Sequence, residues 1–163
     1  MKRLLTIRKK AMAAAFLLIF VLSFAACQMT TDKVVASLGK YENRQFYTSG
    51  GFQDYTDYAK YNYDSAEVAG NQYLKRIRET DLAEIDRHLD DFEGWIEVIG
   101  NSEASSEVVV HFDFDREIID TEDYFYIDSE EHTWRDGTSS LVRYNLYLFD
   151  VQTQILYYFH NNI

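Results

Sequence analysis

The sequence predicts an α+β domain in which two or three N-terminal helices pack on a four-stranded antiparallel sheet. Apolar residues recur at helical spacing over residues 64–96 and alternate at strand spacing from residue 108 onward. The 137 residues after the first 26 suffice for one domain, and their 23 aromatic side chains supply enough apolar area to offset chain entropy. The sequence contains no internal repeat and no sign of a second domain.

The first 26 residues have the pattern of an export signal peptide. All five cations of this segment lie within its first ten residues, and the sixteen that follow are uncharged and mostly apolar. This apolar run is shorter than the roughly 20 residues that a spanning helix prefers. Export with cleavage is therefore the prediction, and an uncleaved anchor is an alternative.

The chain after residue 26 is strongly acidic. It keeps 11 Lys and Arg against 27 Asp and Glu, which gives a formal charge of −16. Such a surface repels phosphate backbones, so nucleic acid is excluded as a partner.

Cys27, the one cysteine of the chain, directly follows the signal. Phe24, Ala25 and Ala26 before it resemble the lipobox of bacterial lipoproteins. The resemblance implies that Cys27 receives a diacylglyceryl group, becomes the new N-terminus after cleavage, and holds the protein at the extracytoplasmic face of the cell membrane. Ser23-Phe24-Ala25 is also an ordinary cleavage site, and its use would release a secreted protein.

Residues 27–40 are predicted to be the lipidated cysteine and a tether, followed by a single domain over residues 41–163. The tether is polar apart from an apolar cluster at Val34, Val35 and Leu38, which also suits one short helix.

Residues 41–63 contain eight aromatic side chains. The glycine pair Gly50-Gly51 interrupts this segment, and if the part after it is helical, Tyr55 and Tyr58 share a face. More rings occur here than one amphipathic face easily buries, so Tyr55, Tyr58 and Tyr61 are candidate exposed binding residues, with core packing as the alternative.

Two helices are predicted next, because Asp64 with Glu67 and Asp81 with Glu84 have capping-box spacing. The second helix has the clearest amphipathic repeat of the chain and is expected to end near Gly94. The period then changes to 2, which predicts strands over 108–115, 123–128, 141–150 and 155–161, with a polar loop at 129–140.

Helices followed by a four-stranded sheet are similar to the cystatin-like and NTF2-like folds. Segments 91–95, 123–127 and 148–163 also resemble uncharacterised lipoproteins of Gram-positive bacteria. That family has no assigned activity, so the resemblance implies a location in the cell envelope and no site.

Motifs for enzymatic chemistry are absent from the sequence. It has no Gly-x-Ser-x-Gly elbow, no His-Glu-x-x-His pair and no phosphate-binding glycine loop. The protein is therefore predicted not to be an enzyme and to need no cofactor beyond its covalent lipid.

Two groups of residues are speculative cation sites. On a strand, His111, Asp113 and Asp115 would project from one face towards a single metal ion, although the wet face of an amphipathic strand is the plainer interpretation. A weak calcium site could form from the oxygens of several acids around the next strand. These acids are Asp120, Glu122, Asp123, Asp128, Glu130 and Glu131.

These observations favour a non-enzymatic binding or interaction domain at the cell envelope, attached to the membrane by lipid and contacting an envelope protein or glycan. Two alternatives stay open: a domain that binds a divalent cation or small ligand, and an envelope carbohydrate hydrolase.

Overall fold

One six-stranded antiparallel sheet organises the fold. The computed structural model describes residues 32–50 and 54–162. The elements in chain order are α1 (Lys33–Ser37), β1 (Asn43–Thr48), β2 (Tyr55–Asn62), β3 (Lys75–Arg76), α2 (Glu79–Ser102), α3 (Glu107–His111), a 3₁₀ turn (Arg116–Ile118), β4 (Tyr124–Thr133), β5 (Ser139–Asp150) and β6 (Ile155–Asn162). Across the sheet the strands lie in the order β1-β2-β6-β5-β4-β3.

The α+β class is confirmed, but the predicted arrangement of helices and strands is wrong. The sheet has six strands instead of four, and the long helix α2 lies between β3 and β4 in the chain. The additional strands come mainly from the aromatic segment: β1 and β2 form a hairpin, and β2 then pairs with β6.

The segment after the glycine pair is strand β2, and its side chains pack into the cores on both faces of the sheet. Tyr58 points to the face covered by α2, whereas Ala59 and Tyr61 point to the opposite face. A strand that is buried on both faces loses the alternation that marks a half-exposed strand, and chance spacings of three and four residues then suggest a helix.

The helix predicted after Asp64 does not form, and residues 63–74 are an irregular loop. Asn71 competes with helical bonding, because its Oδ1 accepts the backbone N–H of Tyr73 at 2.9 Å and of Leu74 at 3.1 Å. Gly70 has a φ of 78°, a left-handed conformation in which the chain turns.

Helix α2 is longer than predicted and runs through Gly94 to Ser102. Its N-cap is Arg78, whose backbone N–H donates to Oδ2 of Asp81 at 3.0 Å. The predicted strand at 108–115 is instead helix α3 followed by extended chain, in which Phe112 packs its ring against Phe92.

The sheet has a buried core on each face. On the helix face, α2 and α3 cover a core that includes Tyr58, Phe92 and Phe159. On the opposite face, called the α1 face, α1 and the 63–74 loop cover a second core. This second core contains Val34, Val35, Leu38, Ala59, Tyr61, Tyr63, Val68, Leu74, Tyr147, Phe149 and Leu156.

The predicted tether overlaps the folded domain. Val34, Val35 and Leu38 are each 4% exposed, so they belong to the core on the α1 face. The domain therefore starts before the predicted boundary at residue 41. No helix of the described residues is long and apolar enough to cross a membrane.

Candidate functional site

A cleft of about 620 Å³ opens between α2 and the β4–β5 hairpin. It is called the tryptophan cleft because both tryptophans of the chain line it. Its lining consists of Asp91, Trp95, Glu130, Glu131, His132, Trp134, Ser140, Leu141 and Val142.

Local structure explains how these side chains come together. Asp91 and Trp95 are four residues apart on α2, so they share one face of the helix. Trp134 follows β4 in a tight turn, in which its backbone N–H donates to the carbonyl of Thr138 at 2.8 Å. Gly137, with a φ of 86°, completes this turn.

The indole of Trp134 is held although it is exposed. Its Nε1–H donates to Oγ of Ser140 at 3.3 Å, and its ring meets the ring of His132 edge-on at 4.5 Å between centroids. The side chain is nevertheless 56% exposed, which is unusual for the largest apolar side chain. A positioned but exposed indole is available for contact with a ligand.

The carboxylates of the tryptophan cleft differ in their partners. Arg87 forms an ion pair with Glu131, and its hydrogen bond holds the pKa of that carboxyl below its usual value. Arg143 lies 3.7 Å from Glu130, with both side chains more than half exposed. Burial raises the pKa of Asp91.

A chain of hydrogen bonds connects Asp91 of the tryptophan cleft to the centre of the sheet. The hydroxyl of Thr56 donates to Oδ1 of Asn161 at 2.9 Å, and Nδ2 of Asn161 donates to Oδ2 of Asp91 at 3.3 Å. Thr56 and Asn161 are both buried, so this chain of hydrogen bonds is fixed in place. It links Asp91 on α2 to the central strands β2 and β6.

A smaller cleft of about 170 Å³ shares Trp95 with the first. It is lined by Ser49, Asp54, Tyr55, Thr56, Trp95, Ile99, Asn161 and Asn162. Trp95 therefore separates a carboxylate-rich cleft from one lined mainly by hydroxyl and amide groups.

A polar row crosses the sheet on the α1 face. Strand register places Thr48, Asp57, His160, Asn145 and Asp128 side by side on five strands. The Nδ1 of His160 bonds to Oδ1 of Asn145 at 2.9 Å. Among the described residues, Nε2 of His160 and Oδ1 of Asp57 are buried without a hydrogen-bond partner.

The three residues of the predicted metal site each interact with other groups of the protein. Asp113 pairs with Lys60 and accepts the hydroxyl of Tyr58 at 2.9 Å. His111 belongs to α3 and stacks on Tyr47, and Asp115 accepts the backbone N–H that begins the 3₁₀ turn. The strand that would have aligned them is absent. No group of three or more His, Cys, Asp or Glu in the described part of the chain is arranged to hold a metal ion.

Several of the acids considered for calcium have partners within the protein. Asp123 is buried and accepts the backbone N–H groups of Asp120 and Val151, both at 2.9 Å. Glu131 is paired with Arg87. These carboxylates stabilise loops and pair with cations of the protein itself.

The three candidate binding tyrosines do not form a shared exposed surface. Tyr58 is fully buried on the helix face and Tyr61 is 6% exposed on the α1 face, so both are core residues. Their alternation along a central strand is the physical reason. Tyr55 is half-buried, contacts the ring of His160 at 4.9 Å and lines the smaller cleft. Cys27, the predicted lipidation site, lies outside the described residues.

Sequence reasoning did not find Trp95 or Trp134 as site residues. The two come from different elements, and no motif spacing connects them. The available signal was composition: the chain has only two tryptophans, and Trp134 lies in a polar, glycine-containing loop where an apolar side chain is poorly buried.

No protein-family model, curated protein or solved structure matches this chain. Functional conclusions therefore depend on the geometry and chemistry of its own residues.

Proposed function

We propose that this protein is an exported, lipid-anchored binding module without enzymatic activity, and that the tryptophan cleft is its ligand-binding site. The observation that supports this most is that the two tryptophans of the chain, from different elements, line one cleft. The proposed anchor is the diacylglyceryl group on Cys27, which would place the domain at the extracytoplasmic face of the membrane.

The size and lining of the cleft support binding of a small ligand or of one group of a larger ligand. Its volume of about 620 Å³ lies within the range of roughly 300–1,000 Å³ that is usual for such sites. Indole rings beside a few fixed polar groups are the usual lining of a binding pocket. The hydrogen bond from the buried Asn161 fixes the Asp91 side chain before a ligand arrives, which lowers the cost of binding.

The partners of the carboxylates favour binding over hydrolysis. Glu131 and Glu130 lie beside arginines, and Asp91 accepts a hydrogen bond from Asn161. A hydrolase would need one carboxylic acid and one carboxylate free to face the scissile bond. A carbohydrate hydrolase therefore has less support than a binding module. A divalent-cation site also has less support, because no group of three or more His, Cys, Asp or Glu among the described residues is arranged to hold a metal ion.

We also propose, as the finer description of the fold, that it is of the cystatin-like or NTF2-like kind. The support is one long helix packed on a single antiparallel sheet. A fold of this kind hosts many functions, so the ligand is inferred from the cleft alone.

Site-specific photocrosslinking in the native host tests the cleft. A photoreactive residue at Val142, which lines the cleft, is compared with one at Gln152, an exposed residue in the β5–β6 turn. We expect a defined mass adduct from position 142 and none from position 152. The same adducts from both positions, or none from either, would contradict a binding role for the cleft.

Membrane fractionation tests the anchor. We expect the native protein to stay in the membrane fraction in high salt and to be released by detergent, whereas Cys27→Ser is found in the soluble or secreted fraction. Membrane retention of Cys27→Ser would instead indicate an uncleaved apolar segment.

A further inference from the structure

We propose that the ligand of the tryptophan cleft is an organic ammonium ion, a cation whose charge is surrounded by methyl or methylene groups. This inference rests on the proposed function, because it names the ligand class of the same cleft. Its grounds are the aromatic lining, the sign of the local charge and the size of the space.

The aromatic lining suits a weakly hydrated cation. The face of an indole is negative, and tryptophan is the side chain that attracts cations most strongly. Trp134 is 56% exposed yet held by Ser140 and His132. An ammonium ion with an apolar shell gains cation–π attraction as well as burial there, whereas a neutral ligand lacks the cation–π attraction.

The charge of the cleft lining is negative, which suits a cationic ligand. The cleft presents Asp91, Glu130 and Glu131, and there is no Lys or Arg among the described residues that line it. Arg87 compensates Glu131 in an ion pair, but the Glu130 pair with Arg143 is exposed and therefore weak. Asp91 accepts hydrogen bonds from two neutral groups, the amide of Asn161 and the hydroxyl of Tyr144, and Arg87 acts on its charge without forming an ion pair with it.

The charge of the whole chain acts in the same direction. A formal charge of −11 for the full sequence, and of −16 after residue 26, raises the local concentration of cations and repels anions. An anionic ligand would meet both an acidic surface and an acidic cleft.

The size of the cleft distinguishes an organic cation from a metal ion. A space of about 620 Å³ far exceeds what one bare ion fills, and no described group of three or more His, Cys, Asp or Glu side chains converges to hold one. A bulky cation is held by ring contact and diffuse charge and needs no such convergence.

Choline and its uncharged isostere 3,3-dimethyl-1-butanol form the test pair, because they have nearly the same shape and differ in charge. The detergent-solubilised lipidated protein is titrated with each, followed by tryptophan fluorescence and calorimetry. We expect saturable binding of choline with a Kd at least tenfold lower than that of the isostere. Salt should weaken choline binding, since part of the attraction is screened charge.

Variants assign the binding to the cleft. We expect Trp134→Ala and Glu130→Gln each to raise the choline Kd by at least fivefold, whereas Val110→Ala, at another exposed apolar position, leaves it unchanged. All three side chains are exposed, so the urea midpoint should stay close to that of the parent. An unchanged Kd for both cleft variants would overturn the assignment.

The remaining outcomes separate failure of the ligand class from failure of the proposed function. Equal affinity for choline and the isostere, or saturable binding of N-acetylglucosamine oligomers without choline binding, would overturn the ammonium proposal. Absence of binding by both probes, with a specific adduct still formed from position 142, would also overturn it and leave the binding function standing. Absence of binding together with absence of adducts would overturn both the ammonium proposal and the proposed binding function of the cleft.

Discussion

His160 lies in the polar row of the α1 face, between Asp57 on one neighbouring strand and Asn145 on the other. It is 6% exposed, and its Nδ1 bonds to Oδ1 of Asn145, which requires a proton on Nδ1. Burial lowers the pKa of His160, although the carboxylate of Asp57 acts in the opposite direction. The folded protein therefore favours the neutral imidazole.

This preference predicts a pH dependence of stability. In the unfolded chain the imidazole binds a proton with a pKa near the usual value of about 6.5, above that of the folded state. The contribution of His160 to stability is thus present above about pH 6.5 and is lost as the pH falls towards the lower pKa of the folded state. Asp57, whose pKa burial raises, has the opposite sign, because its folded form takes up a proton more readily than the unfolded chain.

The measurement is the urea midpoint at pH 7.5 and at pH 5.5. We expect the native protein to lose more stability between these values than His160→Gln does, while the exposed His132→Gln variant behaves like the native protein. Arg143, the other charged group acting on His160, is present in all three proteins. Equal losses in the native protein and His160→Gln would show that His160 does not titrate differently on folding.

At the scale of the elements, Gly94 shows why the end of α2 could not be predicted. Glycine costs a helix only about 1 kcal/mol relative to alanine, so packing on either side readily carries a helix through it. Phe92 is fully buried before Gly94, and Ile96 and Ile99 pack on the same core after it. The apolar repeat was therefore a better guide to the helix than its glycine.

Two glycine substitutions test this description. Gly94 is exposed in the helix interior, and a Cβ there would meet nothing within 4 Å, so Gly94→Ala should raise the free energy of unfolding by about 0.5–1 kcal/mol. Gly70 also has open space around it but a φ of 78°, so Gly70→Ala should lower stability by about 1 kcal/mol. Urea unfolding of both variants measures the difference.

The two variants form a matched pair, because both add one methyl group in open space and differ in backbone conformation. Destabilisation by both would contradict a helix that runs through Gly94. Stabilisation by both would contradict the left-handed turn at Gly70.

The strands show the same limit of sequence patterns. The sequence alone located β5 and β6 nearly in full, because long apolar runs there lie between clear turn residues. The prediction for β2 was wrong because Tyr58 and Ala59 are both buried, on opposite faces of the sheet. The prediction for α3 was wrong because this helix has only five residues, of which Val108 is buried and Val110 is exposed. Burial on two faces, and helices of little more than one turn, leave no period to detect.

At the scale of the whole molecule, the tryptophan cleft was beyond prediction for a topological reason. Trp95 lies on α2, and Trp134 lies in the turn after β4, so only the packing of the long helix against the far end of the β4–β5 hairpin brings them together. By contrast, the acidic character of the surface follows from composition and needs no fold.

The boundary of the domain gives the last prediction. The side chain of Leu38 is 4% exposed in the core of the α1 face. Further bonds fix the segment: the hydroxyl of Tyr63 donates to the carbonyl of Val35 at 3.1 Å, and Nδ2 of Asn71 donates to Oγ of Ser37 at 2.9 Å. A chain that starts at residue 41 would leave the apolar partners of α1 facing water.

We therefore expect a chain of residues 41–163 to be less stable than a chain of residues 32–163 by about 2 kcal/mol or more. The lower bound comes from a single buried leucine, since Leu→Ala in a core costs about 2–5 kcal/mol. Leu38→Ala in the longer chain should show that cost alone, and Lys40→Ala, an exposed position in the same segment, should change stability by less than about 0.5 kcal/mol. Equal midpoints for the two chains would mean that residues 33–40 act as a tether in solution and that their packing on the α1 face adds nothing to folding.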